Sequence, residues 1–387
     1  MQIEPRVELP TDLRSPSRRR LRRSLHWLAL GLVLGLAQCE FHSTDCNDAA
    51  FCNPAWLSIA YAGSLVGVGS DLDTCRTYRQ DLPATIVSSG QFTVNGCKFL
   101  GGVEYGAGRY VAVGSDQLGD GPTTQCVILN SPNGYDWSPV DCGPTAGSGL
   151  SPVAYGSGTF VASSTGNLAA VLRVSTDDGV TWQARAAGTT QGIENFLFHN
   201  GVFYAASKDG VYASTDPVNV AFATTGSGTE QYEQMAVGAD GRIVAIGNSG
   251  ATPIVKVLQN GVWTTGSGIF ANATGGELPG GVIFDGTRFI AIGSKSSGSG
   301  ADCFADFSYD GLTWNGGYTM HPACAQSTLN WQQISLVQLG LETIVTGFIF
   351  NTTATVSELR TISVESGQWS HKFDPNTLIV GDLMPAR

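Results

Sequence analysis

A short apolar strand recurs seven times along the chain, and nothing else in the sequence limits the possible folds as strongly. The copies are Leu65-Val66-Gly67-Val68-Gly69, Tyr110-Val111-Ala112-Val113-Gly114, Phe160-Val161-Ala162-Ser163, Phe203-Tyr204-Ala205-Ala206, Ile243-Val244-Ala245-Ile246-Gly247, Phe289-Ile290-Ala291-Ile292-Gly293 and Ile344-Val345-Thr346-Gly347. Counted from Val66, equivalent positions fall at 111, 161, 204, 244, 290 and 345, so neighbours stand 45, 50, 43, 40, 46 and 55 residues apart. A unit of this size cannot bury its apolar face alone and must stack on its neighbours. The spacing is that of four-stranded sheets in a radial array.

Tight turns with Gly precede several copies, as in Tyr105-Gly106-Ala107-Gly108, Tyr155-Gly156-Ser157-Gly158 and Phe284-Asp285-Gly286. Gly supplies the positive φ of a hairpin there, which makes the apolar copy the second strand of its unit. After the third strand come Ser175-Thr176-Asp177-Asp178-Gly179-Val180-Thr181-Trp182 and Ser308-Tyr309-Asp310-Gly311-Leu312-Thr313-Trp314. Looser versions are Ser131-Pro132-Asn133-Gly134-Tyr135-Asp136-Trp137, Asn260-Gly261-Val262-Trp263 and Ser366-Gly367-Gln368-Trp369, while Phe92 and Phe222 replace the Trp in units one and four. In such a turn a carboxylate accepts hydrogen bonds from its own backbone, Gly relieves strain, and the Trp plugs the space between sheets. Five of the eight Trp sit at this position, so Ser175, Asp177, Gly179, Trp182, Ser308, Asp310, Gly311 and Trp314 read as structural.

These turns resemble Asp-boxes, the BNR repeats of the propeller superfamily that includes the sialidases, over roughly residues 56–374. The resemblance implies an all-β fold, a seven-bladed β-propeller of four-stranded antiparallel blades. A composition with 50 Gly and only 14% charged residues suits many short strands joined by turns. Asp-boxes also occur in non-enzymatic propellers, so the resemblance delivers no activity by itself.

Residues 1–38 read as an export leader: Arg18, Arg19, Arg20, Arg22 and Arg23 precede the apolar run Leu25 to Ala37, which is too short to span a bilayer. Leu36-Ala37-Gln38-Cys39 resembles a bacterial lipobox, which implies acylation of Cys39 and a membrane-anchored envelope lipoprotein. Gln38 departs from the small residue preferred before the Cys, so a soluble periplasmic or secreted product remains the alternative. The nine Cys are odd in number, and removing Cys39 leaves eight that can pair in an exported chain. No Cys or His spacing points to a metal, and no cofactor motif occurs. Beyond residue 38 there are 14 basic and 29 acidic residues, a net charge of −15, which argues against nucleic-acid binding and leaves the acyl chain as the membrane contact.

Residues 39–55 read as an anchor and linker with a small Cys46–Cys52 loop, 56–374 as the propeller, and 375–387 as a tail. Either the tail segment Thr377-Leu378-Ile379-Val380 or the stretch near Trp56 is a candidate strand for closing the ring. In a meandering blade the turns after strands one and three share one face. The opposite face holds the longer loops 70–83, 115–125, 264–280, 294–303 and 315–330, where a binding surface is expected. Cys75, Cys126 and Cys303 lie before third strands and Cys97, Cys142 and Cys324 after fourth strands, which pairs Cys75 with Cys97, Cys126 with Cys142 and Cys303 with Cys324. The loops of blades six and one offer Asp73, Arg76, Tyr78, Arg79, Lys295, Tyr318, His321 and Trp331 as candidate ligand contacts.

A sialidase-like hydrolase needs an arginine cluster and announces it with Phe/Tyr-Arg-Ile-Pro in the first blade, and this chain has no such motif. Arg109, Arg242 and Arg288 occupy one repeated position and read as scaffold. There is no Gly-x-Ser-x-Gly elbow, and His42, His199, His321 and His371 sit in no catalytic context. The expectation is a non-enzymatic platform for an unknown protein or glycan, with a carbohydrate-active hydrolase as the alternative.

Overall fold

The computed structural model describes residues 63–70, 74–82, 89–94, 96–117, 124–143, 149–164, 170–271, 277–297, 300–316, 318–319, 330–339, 342–350, 355–363, 369–373 and 379–385. They form seven four-stranded antiparallel sheets. The first contains β1 (Gly63–Ser70), β2 (Cys75–Leu82) and β3 (Ser89–Val94) together with β28 (Ile379–Pro385), in the order β28-β1-β2-β3. The second is β4 (Phe99–Gly106), β5 (Arg109–Ser115), β6 (Cys126–Ser131) and β7 (Ser138–Val140). The third is β8 (Val153–Gly156), β9 (Thr159–Ser163), β10 (Val171–Ser175) and β11 (Gln183–Ala186). The fourth is β12 (Ile193–His199), β13 (Val202–Ser207), β14 (Gly210–Ser214) and β15 (Ala223–Thr224). The fifth is β16 (Gln231–Val237), β17 (Ile243–Ser249), β18 (Thr252–Gln259) and β19 (Val262–Thr265). The sixth is β20 (Glu277–Phe284), β21 (Phe289–Ser297), β22 (Gly300–Ser308) and β23 (Tyr318–Thr319). The seventh is β24 (Asn330–Leu339), β25 (Glu342–Phe350), β26 (Thr355–Ser363) and β27 (Trp369–Phe373).

First strands pack on first strands: β28 on β4, then β8, β12, β16, β20 and β24 in turn, and β24 back on β28. The second strands are covered on both faces, which is why they read as continuous apolar runs rather than alternating ones. Every residue of β9 is buried, and so is all of β5 after Arg109. Ala112, Ala162, Ala205, Ala245 and Ala291 are wholly inaccessible at the tightest layer of this packing.

The turns after the third strands clamp neighbouring sheets together. In each well-formed turn the Ser hydroxyl accepts the Gly N–H, at 2.9 Å for Ser131–Gly134, 3.0 Å for Ser175–Gly179 and 2.9 Å for Ser308–Gly311. The acidic or amide side chain caps the next N–H groups: Asp310 accepts from Leu312 and Thr313, Asp177 from Thr181, and Asn133 from Tyr135 and Asp136. The Trp indole closes the turn on the Gly carbonyl at 3.0, 3.1 and 2.9 Å for Trp137, Trp182 and Trp314. The box Gly then rests on the repeat Val of the preceding sheet, Gly134 on Val66, Gly179 on Val111 and Gly311 on Val244.

A polar side chain from the preceding sheet also grips each turn's carbonyls. Arg79 donates to Asn133 O at 2.5 Å, Asn130 to Asp178 O and Gly179 O at 3.2 and 3.3 Å, and Arg242 to Asp310 O at 2.5 Å. Asn130 is buried in β6, so Asn130→Ala leaves two turn carbonyls short of a donor and is expected to cost about 1–2 kcal/mol in denaturant unfolding. A midpoint unchanged at constant slope would remove this grip from the account.

Two turns differ from the sequence expectation. Asn260-Gly261 is no Asp-box: both residues have positive φ, at 52° and 77°, and form a two-residue hairpin between β18 and β19. No Ser-x-Asp precedes it to build a box, and Trp263 lies half-buried in β19 with its indole donating to Thr225 Oγ1 at 3.0 Å. Conversely, Ser214-Thr215-Asp216 begins a turn with the same kind of hydrogen bonds, since Asp216 accepts from Val218 and Asn219 and the turn ends on the buried Phe222. An insertion of two residues relative to the box ending at Trp314 hid it in the sequence.

Disulfides join Cys75 to Cys97 and Cys126 to Cys142, with Cα–Cα separations of 5.3 and 6.3 Å. Both bridges fit an oxidising, extracytoplasmic environment. Cys303 lies inside β22 rather than before it, opposite Ser294. Cys39, Cys46, Cys52 and Cys324 lie outside the described residues.

Candidate functional site

Six of the eight candidate ligand residues lie in strands. Arg76, Tyr78 and Arg79 belong to β2, Lys295 to β21, Tyr318 to β23 and Trp331 to β24, while Asp73 and His321 lie outside the described residues. The ladders run past the apolar repeat: Lys295 pairs with Asp302 and Ser297 with Gly300, so much of 294–303 is hairpin. Strand pairing needs only backbone groups, and polar side chains continue it. Arg79 also reaches the turn after the third strand of the second sheet, where its guanidinium covers the Tyr135 ring at 4.9 Å in a contact that ties two sheets together. The repeated arginines make scaffold contacts as well: Arg109 donates to Asn130 at 3.4 Å, Arg242 pairs with Asp240 at 2.6 Å, and Arg288 pairs with Asp285 at 3.3 Å.

The described residues instead gather ionisable groups on the fourth and fifth sheets. First strands β12 and β16 each break register once, between Ile193 and Asn195 and between Tyr232 and Gln234. The extra residues are Glu194 and Glu233, at the position that holds Gly101, Gly280 and Gln333 on β4, β20 and β24. A bulge leaves its extra residue out of the ladder and re-aims the side chain. The next residue on each strand holds the seam: Asn195 Oδ1 accepts the Met235 N–H at 3.2 Å, and Gln234 Oε1 accepts the Val282 N–H at 2.7 Å.

Glu194 Oε1 lies 3.4 Å from Lys208 Nζ, and Gln231 Nε2 donates to Glu233 Oε1 at 2.7 Å. Burial, and then the neighbouring Glu194 carboxylate, push Glu233 up to about 7; the Gln231 hydrogen bond and the Lys208 charge oppose them. Around this pair, Asp209 is held below the usual carboxylate range: burial works against this, and hydrogen bonds from Thr190, Ser207 and Tyr212 outweigh it. Burial first, and Asp209 second, push Tyr212 up to about 12. Glu230 binds Lys256 through both oxygens at 3.0 and 3.1 Å, and Lys256 also donates to Ser227 O.

These groups sit at the ends of the sheets opposite the turns that join third to fourth strands. Glu194 and Glu233 carry no repeat signature in the sequence, because the apolar repeat lies on second strands and these two residues stand on first strands. The set can accept hydrogen bonds through carboxylates, donate through Lys208 and Gln231, and hold a proton on Glu233 near neutrality. Among the described residues no three His, Cys, Asp or Glu side chains come together as metal ligands.

No protein-family model and no curated protein matches the chain. Its similar solved structures are β-propeller proteins, and the fold of this chain is a propeller of four-stranded antiparallel sheets. The computationally designed Ika8 protein matches with TM-score 0.50 at 12% identity, covering 82% of this chain and 86% of that one. An ancestral GH74 enzyme matches with TM-score 0.49 at 12% identity over 83% of this chain, which spans only 47% of that enzyme's length. YCF48 from Cyanidioschyzon merolae matches with TM-score 0.48 at 14% identity, covering 78% and 96%.

Proposed function

We propose that the chain is a seven-bladed propeller of the Asp-box type, held at a bacterial envelope by an acyl chain on Cys39, and that it works as a non-enzymatic platform for a protein or glycan ligand. The observation that carries this reading is the commitment of the repeat's charged groups to the scaffold. Asp177 and Asp310 cap their own turns, and Arg79, Arg109, Arg242 and Arg288 bind neighbouring turns or strands. An arginine cluster for a substrate carboxylate is not assembled among the described residues. Binding capacity concentrates at Glu194, Lys208 and Glu233 on the other face, where two carboxylates and an ammonium can meet a hydroxyl-rich or charged ligand.

The chain is tested by a glycan and protein binding screen, repeated with Glu194→Gln. Loss of a charged hydrogen-bond partner should weaken a ligand held there by about tenfold or more. The rival reading, a sialidase-like or other carbohydrate-active hydrolase, draws on Glu233, because a carboxyl still protonated near pH 7 is what a general acid requires. Product release from sialosides or bacterial and plant polysaccharides, abolished by Glu233→Gln, would replace the platform reading with that one.

A further inference from the structure

The Asp-box face carries an apolar feature that the clamping turns do not require. Four large apolar side chains are strongly exposed among the described residues: Val180 at 52%, Val220 at 56%, Val262 at 64% and Tyr309 at 69%. Single exposed apolar residues are ordinary on a protein surface. These four share one address. Val180, Val220 and Tyr309 stand on the turn between the third and fourth strands of their sheets, and Val262 is the first residue of the fourth strand directly after that turn, on four consecutive sheets, the third to the sixth. All four therefore lie at the same end of their sheets. Their neighbours Thr181 and Asn219 hydrogen-bond within their turns, while Tyr309 meets Phe307 of its own sheet edge-on at 6.1 Å and Val180 lines a cavity beside Arg109, Pro132 and Val140 of the second sheet, each keeping more than half of its surface exposed.

Topology puts the chain's entry on this same face. Gly63, the first residue of β1, pairs with Leu82, the last residue of β2, and the turn that follows β2 is the third-to-fourth turn of the first sheet. Pro385, at the end of β28, pairs with Leu65 at that end as well. Cys39 precedes Gly63 by 24 residues, a reach of at most about 80 Å when fully extended. The geometry points to the Asp-box face as a lipid-docking surface, with the Val180, Val220, Val262 and Tyr309 tips resting in the headgroup layer of the membrane that holds Cys39. This rests on the acyl-anchor reading proposed above.

The tips are flanked by Asp177, Asp178, Asp216 and Asp310, so the attraction is apolar rather than electrostatic, and zwitterionic lipid suits it better than anionic lipid. Each tip contributes little. A tether supplies the effective concentration that lets several weak contacts hold a face in place. The consequence is an orientation: the Glu194, Lys208 and Glu233 groups, at the opposite ends of the sheets, point away from the membrane and remain open to a ligand.

The full chain expressed with its leader, its acylation checked by metabolic labelling, is to be reconstituted in phosphatidylcholine vesicles and compared by hydroxyl-radical footprinting with Cys39→Ala free in solution. The expected result is severalfold protection of Tyr309, Val180, Val220 and Val262 in vesicles and none of Tyr212, beside the second-to-third hairpin of its sheet. Acyl label on Cys39 without that protection, or with protection of Tyr212 instead, overturns the docking surface and leaves the anchor standing. No label on Cys39 overturns both. Protection seen in intact cell envelopes but absent in protein-free vesicles assigns the tips to a protein partner and likewise overturns lipid docking.

Discussion

Gly311→Ala is expected to destabilise the folded chain by about 2–5 kcal/mol, more than any surface substitution in the same sheet. Two independent terms add. Gly311 has φ of 71°, a region in which an L side chain meets its own backbone at a cost of about 1–2 kcal/mol. A new Cβ there would also drive into Val244 Cγ2 and stand 3.3 Å from Val257 Cγ2, both side chains being buried in the preceding sheet. Overpacking a closed core costs a further 1–3 kcal/mol, roughly. The second term depends on Val244 and the first does not, so the two can be separated. Val244→Ala alone leaves a cavity and destabilises; in the double variant Gly311→Ala should cost only its backbone term. A thermodynamic cycle from urea unfolding is therefore expected to show favourable coupling of about 1 kcal/mol or more between the substitutions. Purely additive effects would mean that the box Gly is required for its turn alone and that the turn does not clamp the next sheet. Gly179 against Val111 and Gly134 against Val66 should repeat the result, with Cβ approaches of 2.7 and 2.8 Å.

That clamp shows what was legible in the sequence. The second strands announced themselves because burial on both faces forces an unbroken apolar run, and the boxes because their hydrogen bonds need Ser, Asp or Asn, Gly and Trp at fixed offsets. Both are local requirements, so they leave local signatures. The turn at Ser214 escaped because its greater length and its Phe222 broke the offsets while keeping the hydrogen bonds. Asn260-Gly261 misled for the opposite reason, since a Gly before a Trp satisfies a hairpin as easily as a box. Two disulfides could be paired because antiparallel geometry brings Cys75 to Cys97 and Cys126 to Cys142 within one sheet. The ionisable cluster was not legible. Glu194 and Glu233 stand 39 residues apart, and only the packing of β12 on β16 and a bulge in each strand bring them into electrostatic reach. Strand ladders also extend into segments whose composition suggests loops, as Lys295 with Asp302 shows.

Raising the pH from 4.5 to 8 is expected to lower the stability of the chain, and Glu233→Gln to abolish most of that fall. Glu233 titrates near its ordinary value of 4.5 when unfolded and at about 7 when folded. Between those two values the folded chain holds a proton that the unfolded chain has released, so stability declines as pH rises through this window and levels off above it. The displacement corresponds to at most about 3 kcal/mol, and partial solvent exposure of the carboxyl reduces the amount that is realised. Other carboxylates act in the opposite direction. Asp177, Asp209, Asp285 and Asp310 titrate below their ordinary value when folded, so their contribution is present at neutral pH and is lost as pH falls through the acid range. Stability should therefore peak near the bottom of the Glu233 window, with the acid limb belonging to the turn aspartates and the limb above it to Glu233. Removing the neighbours separates the causes. Glu194→Gln takes away a like charge and should move the Glu233 midpoint down, whereas Lys208→Met takes away a compensating one and should move it up. Thermal melts of the four proteins across pH 4–8, with the Glu233 carboxyl followed by NMR, measure both effects. A flat profile above pH 5 in the unsubstituted chain, or shifts of the same sign in both neighbours' variants, would show that the two bulges do not bring their carboxylates together. A Glu233 limb that disappears in Glu233→Gln while both midpoints move as stated would place a proton near neutral pH at the inner seam of the fourth and fifth sheets, at the sheet ends opposite the clamping turns.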